Sequence, residues 1–172
     1  MKQTKLIILL IIFLLGSVLA FRFLRKPQQA KLPVTAVLTL AGDKQQVSRG
    51  EELTVTLSLD SKETEVAAAD FVIRFDPGFL QAVEVTPGKF FSNYPVLTKN
   101  ENSVKISAVA SFDGESLILP KGKGTVGQIR FRALDKAGST QISPDSAKTI
   151  VATAGQNILD KNQLNKLAIE VQ

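Results

Sequence analysis

From Leu53 to Leu59 apolar and polar residues alternate without a break, with Leu53, Val55, Leu57 and Leu59 on one side and Thr54, Thr56 and Ser58 on the other. A period of two sends successive side chains to opposite faces of an extended chain, so this stretch predicts a strand with one dry and one wet face. The alternation returns along the chain. Phe71, Ile73 and Phe75 alternate with Asp70, Val72 and Arg74, and Val104, Ile106, Ala108 and Ala110 with Lys105, Ser107 and Val109. Ile129, Phe131 and Ala133 alternate with Gln128, Arg130 and Arg132, and Leu167, Ile169 and Val171 with Ala168 and Glu170. Residues 34–40, 80–86, 117–119 and 147–152 are less regular strand candidates. Between them lie turn clusters such as Ala41-Gly42-Asp43, Asp76-Pro77-Gly78, Thr86-Pro87-Gly88, Lys121-Gly122-Lys123-Gly124, Ala137-Gly138-Ser139 and Ser143-Pro144-Asp145. Many short strands with frequent Gly and Pro punctuation predict an all-β sandwich or barrel over residues 34–172. A short helical turn is expected around Phe79 or Lys89–Asn93.

The first residues follow a different pattern. Leu6 to Phe21 is a run of 16 residues, apolar apart from Gly16 and Ser17, with Lys2 and Lys5 before it. The run has no polar face, which excludes an ordinary amphipathic helix. Two readings fit residues 1–24. A cleaved signal would use Val18-Leu19-Ala20 as its small-residue cleavage site. A retained transmembrane helix, counted through Leu24, would span about 28 Å at 1.5 Å per residue, with Arg22 reaching for the far interface. The length favours the retained anchor, since a signal's apolar region is usually shorter. Either way the rest is expected outside the cell. Residues 25–33, polar with two prolines, then read as a stalk.

Charge changes its meaning once it is placed. The chain carries a net charge of +5, yet Lys2, Lys5, Arg22, Arg25 and Lys26 flank the apolar run, and residues 27–172 hold 16 basic and 16 acidic side chains. A neutral domain has no electrostatic footprint for nucleic acid. There is no Cys and no His. That excludes disulfides, thiolate metal sites and the Ser/His/Asp and Cys/His nucleophilic arrangements. Asp113 and Glu115 read as solvated loop charges rather than a catalytic pair. No phosphate-binding glycine loop and no D-x-D-x-D-G calcium loop occurs, so neither an enzyme nor a metal centre is expected.

Residues 66–80, Val-Ala-Ala-Ala-Asp-Phe-Val-Ile-Arg-Phe-Asp-Pro-Gly-Phe-Leu, followed by Val83-Glu84-Val85-Thr86-Pro87-Gly88, carry a more specific signal. A strand ending in an aromatic-Asp-Pro turn, then a Leu and an apolar strand closing on Gly, resembles the cohesin domain. Gly50–Leu57 is similar to that family's second strand, and Lys123–Ala133 to its late glycine-plus-strand element, so the resemblance covers about 34–171. The turn has its own physical logic: Asp76 accepts from following backbone N–H groups, Pro77 pre-sets the turn and Gly78 tolerates positive φ. Asp76, Pro77 and Gly78 are thus structural.

The resemblance implies a jelly-roll-like sandwich of about nine strands that binds dockerin modules on one sheet face. It implies no cofactor of its own, calcium belonging to the dockerin. Asp70 matches a polar strand position of that face, the position two before it, often Asn in the family, is Ala68, and Arg74 lies on the same outward row. The implied role is a non-catalytic module that holds a dockerin-bearing or similar secreted protein at the cell surface. The rival is a carbohydrate-binding sandwich acting on polysaccharide. Sugar platforms favour Trp and Tyr, and the chain has no Trp and one Tyr, Tyr94. With Phe71, Phe75 and Phe131 pointing inward, only Phe90, Phe91 and Phe112 remain for such a platform. A pilin-like subunit is a third class, disfavoured because the apolar run lacks an embedded Glu and residues 25–33 break the helix.

Overall fold

A computed structural model describes residues 31–172. The anchor or signal segment expected over residues 1–24 and most of the stalk expected over 25–33 lie outside the described residues. Among the described residues no helix is long and apolar enough to cross a membrane. Within the described residues fourteen strands run in chain order: β1 (Val37–Gly42), β2 (Gln46–Val47), β3 (Glu52–Asp60), β4 (Ala68–Arg74), β5 (Leu80–Pro87), β6 (Asn93–Lys99), β7 (Ser103–Val109), β8 (Ser111–Asp113), β9 (Ser116–Ile118), β10 (Lys123–Ala133), β11 (Gly138–Pro144), β12 (Ile150–Thr153), β13 (Gln156–Asn157) and β14 (Leu167–Val171). The count exceeds the roughly nine expected because the two-residue strands β2 and β13 and the β8–β9 hairpin add four to ten longer strands.

The strands form an all-β sandwich. One sheet has the order β1-β3-β10-β5 and is antiparallel throughout. The other runs β13-β12-β4-β11-β14-β2, with β7 on the far side of β4 and β6 on β7. β4 therefore pairs along its whole length with β7, and shares its second edge between β12 at Ala68–Asp70 and β11 at Ile73 and Arg74.

The core is where the period-two pattern placed it. Leu53, Val55, Leu57 and Leu59 of β3 and Ile129 and Phe131 of β10 are buried, and they meet Phe71 and Ile73 of β4 and Val104, Ile106 and Ala108 of β7. The Phe75 and Phe131 rings stack edge-on across the sheets, with centroids 5.1 Å apart at 68°, a favoured aromatic geometry. Gly88 is required by close approach: a Cβ there would lie 2.0 Å from the Thr125 carbonyl oxygen. Beside it β10 carries a bulge between Thr125 and Gly127. Bulges of this kind bend a strand and tighten its twist.

Besides the short β2, β8 and β13, two of the longer strands, β11 and β6, were not legible as such. β11 lies between the expected turn clusters at 137–139 and 143–145, and absorbs Gly138, Ser139, Ser143 and Pro144 into its ladder. Its only large apolar residue is Ile142, with Thr140 buried beside it. β6 carries Pro95 at an irregularity between Asn93 and Val96, a residue tolerated on an edge strand. The expected helical turn forms around Phe79, where the N–H groups of Phe79 and Leu80 both donate to the Asp76 carbonyl, and not at Lys89–Asn93. A 3-10 turn also forms at Lys161–Gln163, where the Asp160 side chain accepts from the Asn162 N–H. Leu32 joins the domain rather than the stalk: it packs against the core, and its N–H donates to Gln156 Oε1 at 2.8 Å.

Candidate functional site

Alternation along β4 puts Ala68, Asp70, Val72 and Arg74 on its outward row. Ladder partners in a sheet share a face, so the register defines the surface around them. Ala68 sits between Ala152 of β12 and Val109 of β7, and Asp70 between Ile150 and Ser107. Lys105 stands opposite Val72, and β6 adds Val96 beyond Ser107. Ala68, Asp70, Ser107, Val109, Ile150 and Ala152, with the neighbouring backbone, line a shallow and largely apolar depression of about 180 Å³.

Asp70 is the polar centre of this face. The Ser107 hydroxyl donates to its Oδ1 at 2.5 Å, and the Lys105 ammonium lies 3.2 Å from its Oδ2. The Asp70 side chain keeps 40 % of its surface open, so it is oriented by two neighbours and remains available to a third group.

Arg74 belongs to a different group. Its Nε donates to Asp145 Oδ2 at 2.9 Å. That bond, helped by the backbone N–H groups of Ala147 and Lys148, holds the Asp145 carboxyl below the usual carboxylate range. Between Asp70 and Arg74 the outward row is covered. Val72 is buried, and residues 145–149 close the strand edge beside it, with Asp145 N–H donating to its carbonyl at 2.7 Å and the Thr149 hydroxyl accepting its N–H at 3.2 Å. Period two alone makes Val72 as wet as its neighbours, and the structure buries it.

The turn after β4 works through Asp76. Its Oδ1 accepts from Gly78 N–H at 2.8 Å, and its carbonyl accepts from Phe79 and Leu80 at 3.1 and 3.0 Å. Gly78 does not use the positive φ expected of it, being absent from the residues in that region. A Cβ there would come 3.2 Å from Asp76 Oδ1, so the short side chain leaves room for the Asp76 hydrogen bond.

The three-ring platform is not assembled. Phe90 and Phe91 are buried and pack edge-on at 5.0 Å, with Tyr94 6.1 Å beyond, and burial raises the Tyr94 phenol above its ordinary pKa. Phe112 alone is open to solvent. Asp113 and Glu115 stand exposed at the end of the β8–β9 hairpin. No group of three or more His, Cys, Asp or Glu among the described residues is arranged to hold a metal ion.

The outward face of the other sheet has the opposite character. Arg130 pairs with Glu52 at 3.4 Å and Glu84 at 2.5 Å, and Arg132 pairs with Glu52 at 2.7 Å. Thr54, Thr56 and Gln128 complete that surface.

Sequence reasoning missed Ile150, Ala152 and Val109 as site residues. The available signal was Ile150-Val151, two adjacent β-branched residues that must face opposite sides of a strand, one of them outward.

The fold defines the class, a two-sheet, mainly antiparallel sandwich whose β4–β7 pair carries an open, small-residue face. A cohesin-domain family model matches residues 38–171, and the chain belongs to the cohesin family. Among curated proteins none matches the chain. Among solved structures, the third cohesin ScaC of Acetivibrio cellulolyticus, solved in complex with the ScaB dockerin, is 18% identical with a TM-score of 0.62, covering 79% of this chain and 98% of that one. CaCohA2 from Clostridium acetobutylicum is 19% identical with a TM-score of 0.63, covering 80% and 92%. A non-cellulosomal cohesin from the archaeon Archaeoglobus fulgidus is 13% identical with a TM-score of 0.55, covering 83% and 92%. At such identities the likeness establishes the fold.

Proposed function

We propose that this chain is a non-catalytic protein-binding module whose β12–β4–β7–β6 face receives a dockerin-bearing or similar secreted protein. The observation that carries this reading is the contrast between the sandwich's two outward faces. Ala68, Val109, Ile150 and Ala152 leave apolar surface in water around a single oriented carboxylate, Asp70. Contiguous apolar surface with a polar anchor is what a protein interface removes from water. Solved cohesins that share the fold include one bound to a dockerin, which supports the same partner class. The N-terminal apolar run, kept as a single-pass anchor, would hold the domain outside the cell; cleaved as a signal, it would leave the module secreted. Any calcium requirement would arise in the partner.

The test is capture by the purified full chain. Dockerin-bearing proteins of the same organism should be retained, and chelation of calcium should release them. Retention of none, together with binding on a glycan array, would replace this reading with the carbohydrate-binding one. Mass spectrometry of the mature N-terminus decides between anchor and signal.

A further inference from the structure

The β8–β9 hairpin stands outside both main sheets, its strands pairing only with each other. Phe112 is 70% exposed, Leu117 48% and Ile118 49%, so half of the six large apolar side chains that the described residues expose fall within seven positions. Phe112 and Leu117 are ladder partners and share one side of the hairpin. Gly114, at φ 59°, is the first of the two residues that turn it, the position where a type II′ hairpin takes glycine. The arm is therefore a formed element and not a loose loop.

Its root lies at one corner of the candidate face. β7 ends at Val109, which faces Ala68 across the ladder and Asn93 on the other side. Ala110 N–H then donates to the Ala67 carbonyl at 2.8 Å, and the Ser111 and Ser92 hydroxyls are hydrogen-bonded. The hairpin thus rises beside the apolar end of the depression formed by Ala68, Val109 and Ala152. At its turn Asp113 and Glu115 have no cation within ion-pair distance among the described residues, whereas seven other acidic residues of the domain do.

We infer that this hairpin is a second contact arm for the protein received by the β12–β4–β7–β6 face, and that the partner meets it with an apolar side chain flanked by Lys or Arg. The inference rests on the proposed function of that face. Apolar area left in water beside a docking surface gains free energy when a partner covers it. The unpaired carboxylates at the turn favour a partner of opposite charge at that edge and speed its approach. A lipid surface fits less well, since the hairpin's acidic turn would lead into it.

The chain has no Trp, so Phe112→Trp creates a single fluorescent reporter in the full chain, purified in detergent or in nanodiscs. Purified dockerin modules of the same organism serve as the probe. Saturating dockerin should shift the Phe112→Trp emission to the blue, and the double variant Phe112→Ser/Leu117→Ser should bind about 10- to 100-fold more weakly with an unchanged melting temperature. Full affinity in that double variant, with Ile150→Asp binding weakly, would overturn the arm and leave the face standing. Failure of every dockerin to bind would overturn both. Quenching of the reporter by brominated lipid before dockerin is added would overturn the arm in favour of a membrane contact. A concentration-dependent blue shift without dockerin would overturn it in favour of self-association.

Discussion

On β3 and β10 the outward rows carry Glu52, Thr54 and Thr56 beside Arg130 and Arg132, whereas on β4, β7 and β12 they carry Ala68, Asp70, Val109, Ile150 and Ala152. The same alternation builds both surfaces over one core. On the first, each long charged side chain finds an opposite charge across the ladder, so the surface is neutralised and has little to offer a partner. On the second, small and β-branched side chains leave a shallow depression around one carboxylate held by Ser107 and Lys105. What differs is therefore what each face leaves in water: paired charges on the first, and apolar surface around one carboxylate on the second.

The severest way to break this arrangement is through the core the faces share. Phe131 lies between Arg130 and Arg132 on β10 and stacks on Phe75 behind β4. Phe131→Ala should lower the unfolding free energy by about 3–5 kcal/mol, read from urea unfolding; a loss well under that would mean the sheets do not depend on this contact.

Next comes a direct comparison of the faces. Ile150→Asp should weaken dockerin binding by about 100-fold, in the range of an interface hot spot, with little change in melting temperature. Glu52→Gln on the opposite face should leave affinity within about twofold. Equal losses from both substitutions would erase the contrast.

Asp70→Ala should cost about tenfold in affinity, the scale of one charged hydrogen bond, without loss of folding. Unchanged affinity measured by titration calorimetry would remove Asp70 from the interface.

The smallest expected effect concerns Arg74, which bonds Asp145 in the loop beside Val72. Its bond keeps the Asp145 carboxyl below the ordinary range in the folded state. That stabilisation is present above the unfolded carboxylate pKa of about 3.9 and is lost as pH falls through the lower folded value. Melting temperatures of wild type and Arg74→Ala should therefore differ at neutral pH and converge at strongly acidic pH. A gap that widened on acidification would contradict the assignment of this ion pair.

Much of the sandwich was legible because burial on one face imposes period two. β3, β7, β10 and β14 lie where their alternation predicted, and the Asp76 turn makes the hydrogen bonds its composition implied. β11 escaped because Gly138, Ser139, Ser143 and Pro144 resemble turn residues, and its ladder depends on β14 and β4, which are distant in the chain. Asp70 was found through a family resemblance. Its companions Ile150, Ala152 and Val109 were not, since they gather on one surface only when β12 and β7 flank β4.

By itself, then, the sequence determined a β-rich domain of balanced charge without His or Cys, most of the residues that line its core, and the location of its Asp76-Pro77-Gly78 turn, because these follow from local periodicity and side-chain chemistry. The tertiary structure alone decided which outward rows meet. It buried Val72, tied residues 145–149 to the edge of β4, separated Arg74 from Asp70, sank Phe90 and Phe91 into the core, and left Phe112 in water beside the open face. Each of those outcomes depends on contacts between segments far apart in the chain, and no local pattern encodes which distant strand becomes a neighbour.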